Sequence, residues 1–280
     1  MKKYQILATL DLRTSDICRS MDSKIFDYKD YRIGITAPPF HPNCRSDTVP
    51  YFGDEFEKEI DQGIGRMARD PESEISGKVK DLSYKEWYNI YVKDNHEAVF
   101  KEKAWKNRHG DKEQFIKYKD VLGKDLKNNF KDFQELKYKD EDKYRLIKID
   151  YKRRKKLIDN PNLLLPNADK IYIDNRKFTE YLFDGKNEDG LNKGRLIEKK
   201  LGYNLNNYLK FKKEILNRAI IYPGHIKGTT YKGIRYEQKI FMYDKDKNPV
   251  NLIVGWYVED NNTKMTTIFI KDVPKSEIGN

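Results

Sequence analysis

Two cysteines, Cys18 and Cys44, are the only thiols in 280 residues, and both fall in one short segment with His41 close by. The spacing His41-Pro42-Asn43-Cys44 lets an imidazole and a thiolate converge on one ion from a tight turn that Pro42 stiffens. Cys18 adds a second soft ligand from a distant point, which is how a small zinc knuckle closes a loop. The fourth ligand is open. Ser15 stands where a Cys-x-x-Cys pair would place its first cysteine, but a hydroxyl is a poor zinc ligand, so Asp11, Asp16 or water is left to complete a tetrahedron. A Cys18–Cys44 disulfide and two plain buried thiols are the competing readings. The N-terminus leads into only a short apolar stretch, Ile6 to Leu10, unlike a secretory signal. A reducing compartment is therefore expected, which disfavours the disulfide.

A second set of reactive groups lies near the C-terminus. In Arg235-Tyr-Glu237-Gln-Lys239 strand alternation puts one carboxylate between two cations on one face. That suits a general base with anion clamps, and equally a solvated sheet face. His225, in Pro-Gly-His225-Ile-Lys227-Gly, reads as an exposed loop residue able to act as acid or base; a surface histidine is the alternative. Lys193 and Arg195 open an expected helix after a glycine-bearing loop, where backbone N–H groups and cations favour an anion. Thr266 and Thr267 are adjacent, so only one shares the charged face; strand propensity alone also explains them. Trp256 is a core residue or a stacking ring.

The elements that position these groups follow from periodicity and punctuation. Residues 1–52 form a small knuckle segment, with strand-like Tyr4 to Leu10 and a second apolar-alternating piece at Thr48-Val-Pro-Tyr-Phe52. Residues 53–158 form a charged helical connector. Within it Ser83 and Glu86 make a capping box for a helix through Val92, with Trp87, Ile90 and Tyr91 on one face. Helical spacing continues through Phe115, Tyr118, Val121 and Leu122, and again through Phe130 and Phe133. The basic run Lys152-Arg-Arg-Lys-Lys156 is able to contact phosphate or to end a helix in solvent. Asn160-Pro161 and Leu165-Pro166 mark a boundary. From there to about residue 275 helices come first, near 176–183, 193–201 (stopped by Gly202) and 205–221. Strands 235–243, 250–258 and 264–270 follow, joined by tight turns into an antiparallel meander. The fold class is α+β: a small knuckle and helical connector, then helices packed on a curved antiparallel sheet.

Hydrophobic residues make up 38% and charged residues 36%, so the core is lean, and 20 Tyr, 13 Phe and 3 Trp supply its large buried areas. No apolar run reaches the roughly 18 residues that would argue for a bilayer-spanning helix, which excludes a membrane role from this reading. The net charge is +11 and the pI about 9.2, compatible with a polyanionic partner or with codon bias.

Two stretches carry family resemblances. Tyr4-Gln-Ile-Leu-Ala-Thr-Leu-Asp11-Leu-Arg-Thr-Ser-Asp-Ile-Cys18, Pro-Pro-Phe-His41-Pro-Asn-Cys44-Arg-Ser and Thr48-Val-Pro-Tyr-Phe resemble the C-terminal end of the Mu-type phage head morphogenesis domain of minor head proteins. Many relatives carry cysteines at the position of Ser15 and just after Arg45. Arg66-Met-Ala-Arg-Asp70-Pro and Leu82-Ser-Tyr-Lys-Glu-Trp87-Tyr-Asn-Ile-Tyr91 also resemble the tail of such proteins. The chain reads as the back half of a longer phage protein, or as a fragment that has become its own gene. The C-terminal stretches Phe178-Thr-Glu-Tyr-Leu, Gly190-Leu-Asn-Lys193-Gly-Arg195-Leu-Ile-Glu, Leu201-Gly-Tyr-Asn204, Gly255-Trp256 and Met265-Thr266-Thr267 resemble polymorphic-toxin tips of the barnase, EndoU, colicin and RelE-like ribonuclease fold. This chain lacks the histidine that many of those relatives carry near Tyr181-Leu-Phe183.

The resemblances imply a phage or prophage minor head protein whose C-terminal domain cleaves RNA, tRNA included, without a metal. Catalytic groups would come from His225, Arg235, Glu237, Lys239, Thr266 and Lys193. Arg195, Lys227, Thr267 and Trp256 would hold RNA, and Cys18, His41, Cys44 and Asp11 a structural zinc. Implied partners are RNA, a small acidic immunity protein, and portal and capsid proteins, with the chain in the virion or the bacterial cytoplasm. The alternative is a purely structural capsid- or portal-associated protein.

Overall fold

The computed structural model describes residues 2–53, 65–126, 129–259 and 262–278. Contacts group the chain into two compact units, Met1–Asp111 and Lys112–Asn280. This division cuts through the 53–158 connector: residues 66–106 pack with the knuckle segment, and the helices after residue 111 pack with the C-terminal sheet.

In the first unit β1 (Lys3–Leu7) is the centre of a three-stranded antiparallel sheet, flanked by β2 (Ile25–Asp27) and β3 (Asp47–Tyr51). Alternation buries Tyr4 and Ile6 against Ala37. A short helix α1 (Asp16–Met21) begins at Ser15, whose hydroxyl caps it. A hairpin of β4 (Arg66–Arg69) and β5 (Ser76–Val79) precedes α2 (Tyr84–Tyr91) and α3 (His96–Lys106). The Ser83–Glu86 capping box forms as expected. The packed stripe of α2, however, is Tyr84, Trp87, Tyr88 and Tyr91. Ile90 lies about 100° off that stripe and is 62% exposed, not on the shared face expected for it. The Asp22 carboxylate ties the unit together, taking the Ala8 and Tyr84 N–H groups at 2.6 Å each and the Arg66 guanidinium at 2.5 Å.

The division between the units falls within α4 (Arg108–Leu122), and α5 (Phe130–Lys139) and α6 (Glu141–Asp159) follow it. Strand β6 (Ile171–Tyr172) and a π-helical turn, Lys177–Leu182, lead to α7 (Glu188–Leu201) and α8 (Tyr208–Ala219). Then come β7 (Gly224–Thr230), β8 (Gly233–Tyr243), β9 (Pro249–Glu259), β10 (Asn262–Ile270) and the short α9 (Lys275–Ile278). The expected α+β arrangement of helices on a sheet is present. The three expected strands lie within β8, β9 and β10. The turn expected at Glu259 to Thr263 has its central residues, 260 and 261, outside the described residues.

The sheet is larger than the meander read from the sequence. Its order is β6-β10-β9-β8-β7, antiparallel except for β6, which runs parallel to β10. Strand β7 replaces the exposed loop expected around His225. Helix α7, capped by Asn187, starts at Glu188, five residues before the expected start, so Lys193 and Arg195 lie in its second turn and not at its N-terminal amides. It ends at Gly202, which takes the left-handed conformation (φ 75°) as a C-cap. Gly194 lets this helix touch the π-turn, since a Cβ there would meet the Leu182 carbonyl at 1.8 Å.

One face of the sheet buries Ile240, Leu252, Val254, Trp256, Met265 and Ile268 against Phe178, Ile197, Phe211 and Ile215 of the helices. On the opposite face α6 is fixed by buried charge. Arg154 donates to Asp150 at 3.0 and 2.9 Å and to Asp125 at 2.7 Å. Arg218 grips the other side of Asp125, and Tyr222 and Tyr243 donate their hydroxyls to Asp150 at 2.6 and 2.5 Å. Every charge in this group has an opposite partner and several hydrogen bonds, as burial requires.

Candidate functional site

The cysteine–histidine group in the first unit forms from two elements. Cys18 sits in the first turn of α1, and its N–H bonds to Ser15 Oγ. His41 and Cys44 bracket a turn closed by the Cys44 N–H on the His41 carbonyl at 3.1 Å, with Asn43 at φ 62°. Cys18 Sγ lies 3.1 Å from His41 Nε2 and 3.6 Å from Cys44 Sγ. These separations suit a tetrahedral set with metal bonds of about 2.0–2.3 Å. His41 Nδ1 is 2.7 Å from the Pro42 carbonyl. Donation there leaves the Nε2 lone pair free, the orientation a metal ligand needs. Burial raises the Cys18 thiol above its ordinary value. Burial opposes ionisation of Cys44 too, but hydrogen bonds from the Phe40 and Ser46 backbone bring that thiol below the ordinary range.

Asp11 is not part of the group. Its carboxylate is buried, spans the Arg45 guanidinium at 2.5 and 2.8 Å, and accepts from Thr14 and the Arg13 N–H. Burial alone would raise it, yet these bonds hold it below the usual aspartate value. Ser15 stands in that place instead, its Oγ 2.8 Å from His41 Nε2. The residues present offer two sulfurs, one imidazole and one hydroxyl, a set that fits zinc with a weak fourth ligand.

In the second unit the β7–β8 ladder sets His225 opposite Glu237, and Glu237 opposite Gly255 of β9. Paired residues share a face, so His225 joins the alternating row Arg235, Glu237, Lys239. Lys227 occupies the bulge between Ile226 and Gly228, with its ammonium 3.5 Å from Glu237. Thr267 pairs with Gly255 and so extends the Glu237 row. Thr266 lies at the bulge of β10, its carbonyl accepting from Lys177, and the bulge brings its hydroxyl to the same Gly255 face, so both threonines share a face expected to hold only one.

Helix α6 borders the same face. A cavity of about 380 Å³ is lined by Ile149, Lys152, Arg153 and Lys156 of α6, by Pro223, His225 and Lys239, and by Glu277. His225 is half-buried there; burial, then Lys156 and Lys239, lower its pKa below the ordinary histidine value, against a smaller opposing pull from Glu237 and Glu277. Its imidazole is therefore mostly neutral at pH 7. Sequence reasoning misses the basic run of α6 and Glu277 as members of this site. The run's five cations were the available signal, since every third or fourth position of a helix returns to one side.

Lys193, Arg195 and Trp256 do not line this cleft. Lys193 pairs with Asp189 at 2.7 Å and Tyr181, and Arg195 with Asn192. Trp256 is enclosed at 1% exposure, with its indole N–H on Gln238 at 2.9 Å, so no ring face is open for a base to stack on.

Residues 1–49 match the family model described as Phage Mu protein F like protein. Residues 164–272 match a model described as a domain of unknown function, DUF6883. No curated protein and no solved structure matches the chain. The first match is a similarity to phage Mu F-like proteins confined to the N-terminal segment. Among the described residues no helix is long and apolar enough to cross a membrane.

Proposed function

We propose that this is a phage minor head-type protein, virion-associated, whose C-terminal unit binds RNA in the α6–β8 cleft and cleaves it. The observation that carries the reading is the meeting of His225, Glu237 and Lys239 on one sheet face beside the cations of α6. Neutral His225 takes the proton of a ribose 2′-hydroxyl. The 2′ oxygen bonds to phosphorus, the bond to the 5′ oxygen breaks, and a lysine ammonium of the cleft returns a proton to the departing oxygen. The products are a 2′,3′-cyclic phosphate and a 5′-hydroxyl. Glu237, across the ladder, stabilises the imidazolium, while Arg153, Lys239 and Arg235 offset charge building on the phosphoryl oxygens. The need for a 2′-hydroxyl restricts the substrate to RNA, tRNA among it.

In the same reading the first unit holds a structural zinc on Cys18, His41 and Cys44, which closes the knuckle next to a head-assembly surface. From Asn160 onward 21 basic residues face 15 acidic ones, a net +6 suited to a small acidic immunity partner in the bacterial cytoplasm. The test is incubation of the purified chain with bacterial RNA in the presence of a chelator, with product ends read by mass. Fragments ending in cyclic phosphate support cleavage. Intact RNA removes the enzyme and leaves a structural head protein.

A further inference from the structure

Among the described residues Glu277 is the only acidic side chain lining a cleft otherwise bordered by five cationic or ionisable nitrogenous groups on α6, β7 and β8, and by Ile149 and Pro223. Its carboxylate is held on both oxygens. Arg153 Nη2 and Nε donate to Oε2 at 2.7 and 3.1 Å, and the Lys239 ammonium pairs with Oε1. Arg153 is itself aimed by a 2.6 Å bond to Asn251 and lies over the Phe241 ring at 4.8 Å. A guanidinium presenting two N–H groups beside an ammonium is a receptor for any oxyanion with two accessible oxygens, phosphodiester and carboxylate alike.

The segment carrying Glu277 is tethered but short. Val273 is buried in the core, and the Lys271 N–H bonds to the Asn251 carbonyl. Beyond that anchor comes the four-residue α9, in which Ser276 is exposed and Glu277 alone of the described side chains enters the cleft. Burial would raise the Glu277 carboxyl, but the bonds from Lys239 and Arg153 keep it below the ordinary glutamate value, so it stays an anion.

We propose that Arg153 and Lys239 form a phosphate subsite that Glu277 occupies in the free protein, making the C-terminal turn a built-in competitor that a single-stranded RNA must displace. This rests on the reading of the cleft as an RNA site, but concerns binding and not bond cleavage. A turn docked about nine-tenths of the time lowers the apparent affinity about tenfold.

The test measures binding of a fluorescent 2′-O-methyl oligoribonucleotide, which lacks the attacking hydroxyl and so stays intact, by anisotropy at fixed salt. Three variants of the full chain are compared: Glu277→Gln, a chain ending at Pro274, and Asp272→Asn as an exposed control for the loss of one negative charge. The truncation removes Lys275 and Glu277 together, so its net charge is unchanged. Glu277→Gln and the truncation are expected to bind about tenfold tighter, and Asp272→Asn within about twofold of the parent. If both tail variants bind like the Asp272→Asn control while keeping the parent's melting temperature, the competitor is overturned. Tighter binding without cleavage of natural RNA upholds the competitor and removes the ribonuclease. Cleavage with unchanged affinities does the reverse, and binding by no variant overturns both.

Discussion

His225, on the edge strand β7, and Glu237, on its neighbour β8, are direct partners across the ladder. A histidine that burial and two lysines keep neutral thus faces a carboxylate able to steady its charged form.

That pairing predicts a pH profile. Because the neutral imidazole is the active form and its pKa is lowered, RNA cleavage should rise with pH through a value below 6.5 and level off by neutrality. His225→Ala should cost about 10²–10⁴-fold in rate. Glu237→Gln removes an influence that raises His225, so the acid limb should shift to lower pH. Rate–pH curves of the three proteins check this; a rate that falls as pH rises through that region would reverse the role of His225.

The Asp150–Arg154 pair, both nearly inaccessible to solvent, predicts a large stability effect. Arg154→Ala leaves Asp150 with two tyrosine hydroxyls but without its guanidinium, removes one of Asp125's two guanidinium partners, and should cost about 3–5 kcal/mol in chemical denaturation. Burial pushes Asp125 up, but Arg218 and Arg154 leave its net pKa lowered. Its stabilising contribution is therefore complete above the ordinary aspartate value and lost as pH falls through the lower folded value. Acid unfolding of the parent should set in below about pH 4, and the same titration of Asp125→Asn should lack that component.

Metal content checks the first unit. The purified chain should carry stoichiometric zinc by elemental analysis, Cys44→Ala should lose it, and a chelator should lower the melting temperature. Ser15→Cys, which places a thiol beside His41 Nε2, should hold zinc against chelator concentrations that strip the parent. Zinc-free parent protein would exclude the ion.

Gly194 has no room for a methyl group against the Leu182 carbonyl. Gly194→Ala should destabilise the second unit by about 1–3 kcal/mol through forced separation of α7 from the π-turn, read as a lower denaturation midpoint.

Local signals were legible where local energetics decide. The Ser83 capping box, the Gly202 C-cap and strands β8 to β10 all depend on neighbours within a few residues or on strict alternation. Strand β7 was hidden because Pro-Gly-His-Ile-Lys-Gly has low strand propensity, and its pairing to β8 comes from the sheet, not from its side chains. The loss of Asp11 as a ligand depends on Arg45, 34 positions away, and nothing local announces that bond. The cleft itself joins α6, β8 and Glu277, which lies 124 residues from Arg153 and 38 from Lys239, so charge in the run Lys152–Lys156 is visible in the sequence while its neighbours are not.

The cluster around Asp150 also bears on how the second unit opens. Its six members come from the segment after α4, from α6, α8, the turn beyond α8, and β8. Peeling any one of these away leaves a naked ion in an oily interior, so partial detachment is nearly as unfavourable as complete unravelling. Amide protons of α6 near Asp150 should exchange with solvent at rates close to those of the central strands, leaving the basic rim of the cleft a stiff template and not a hinge.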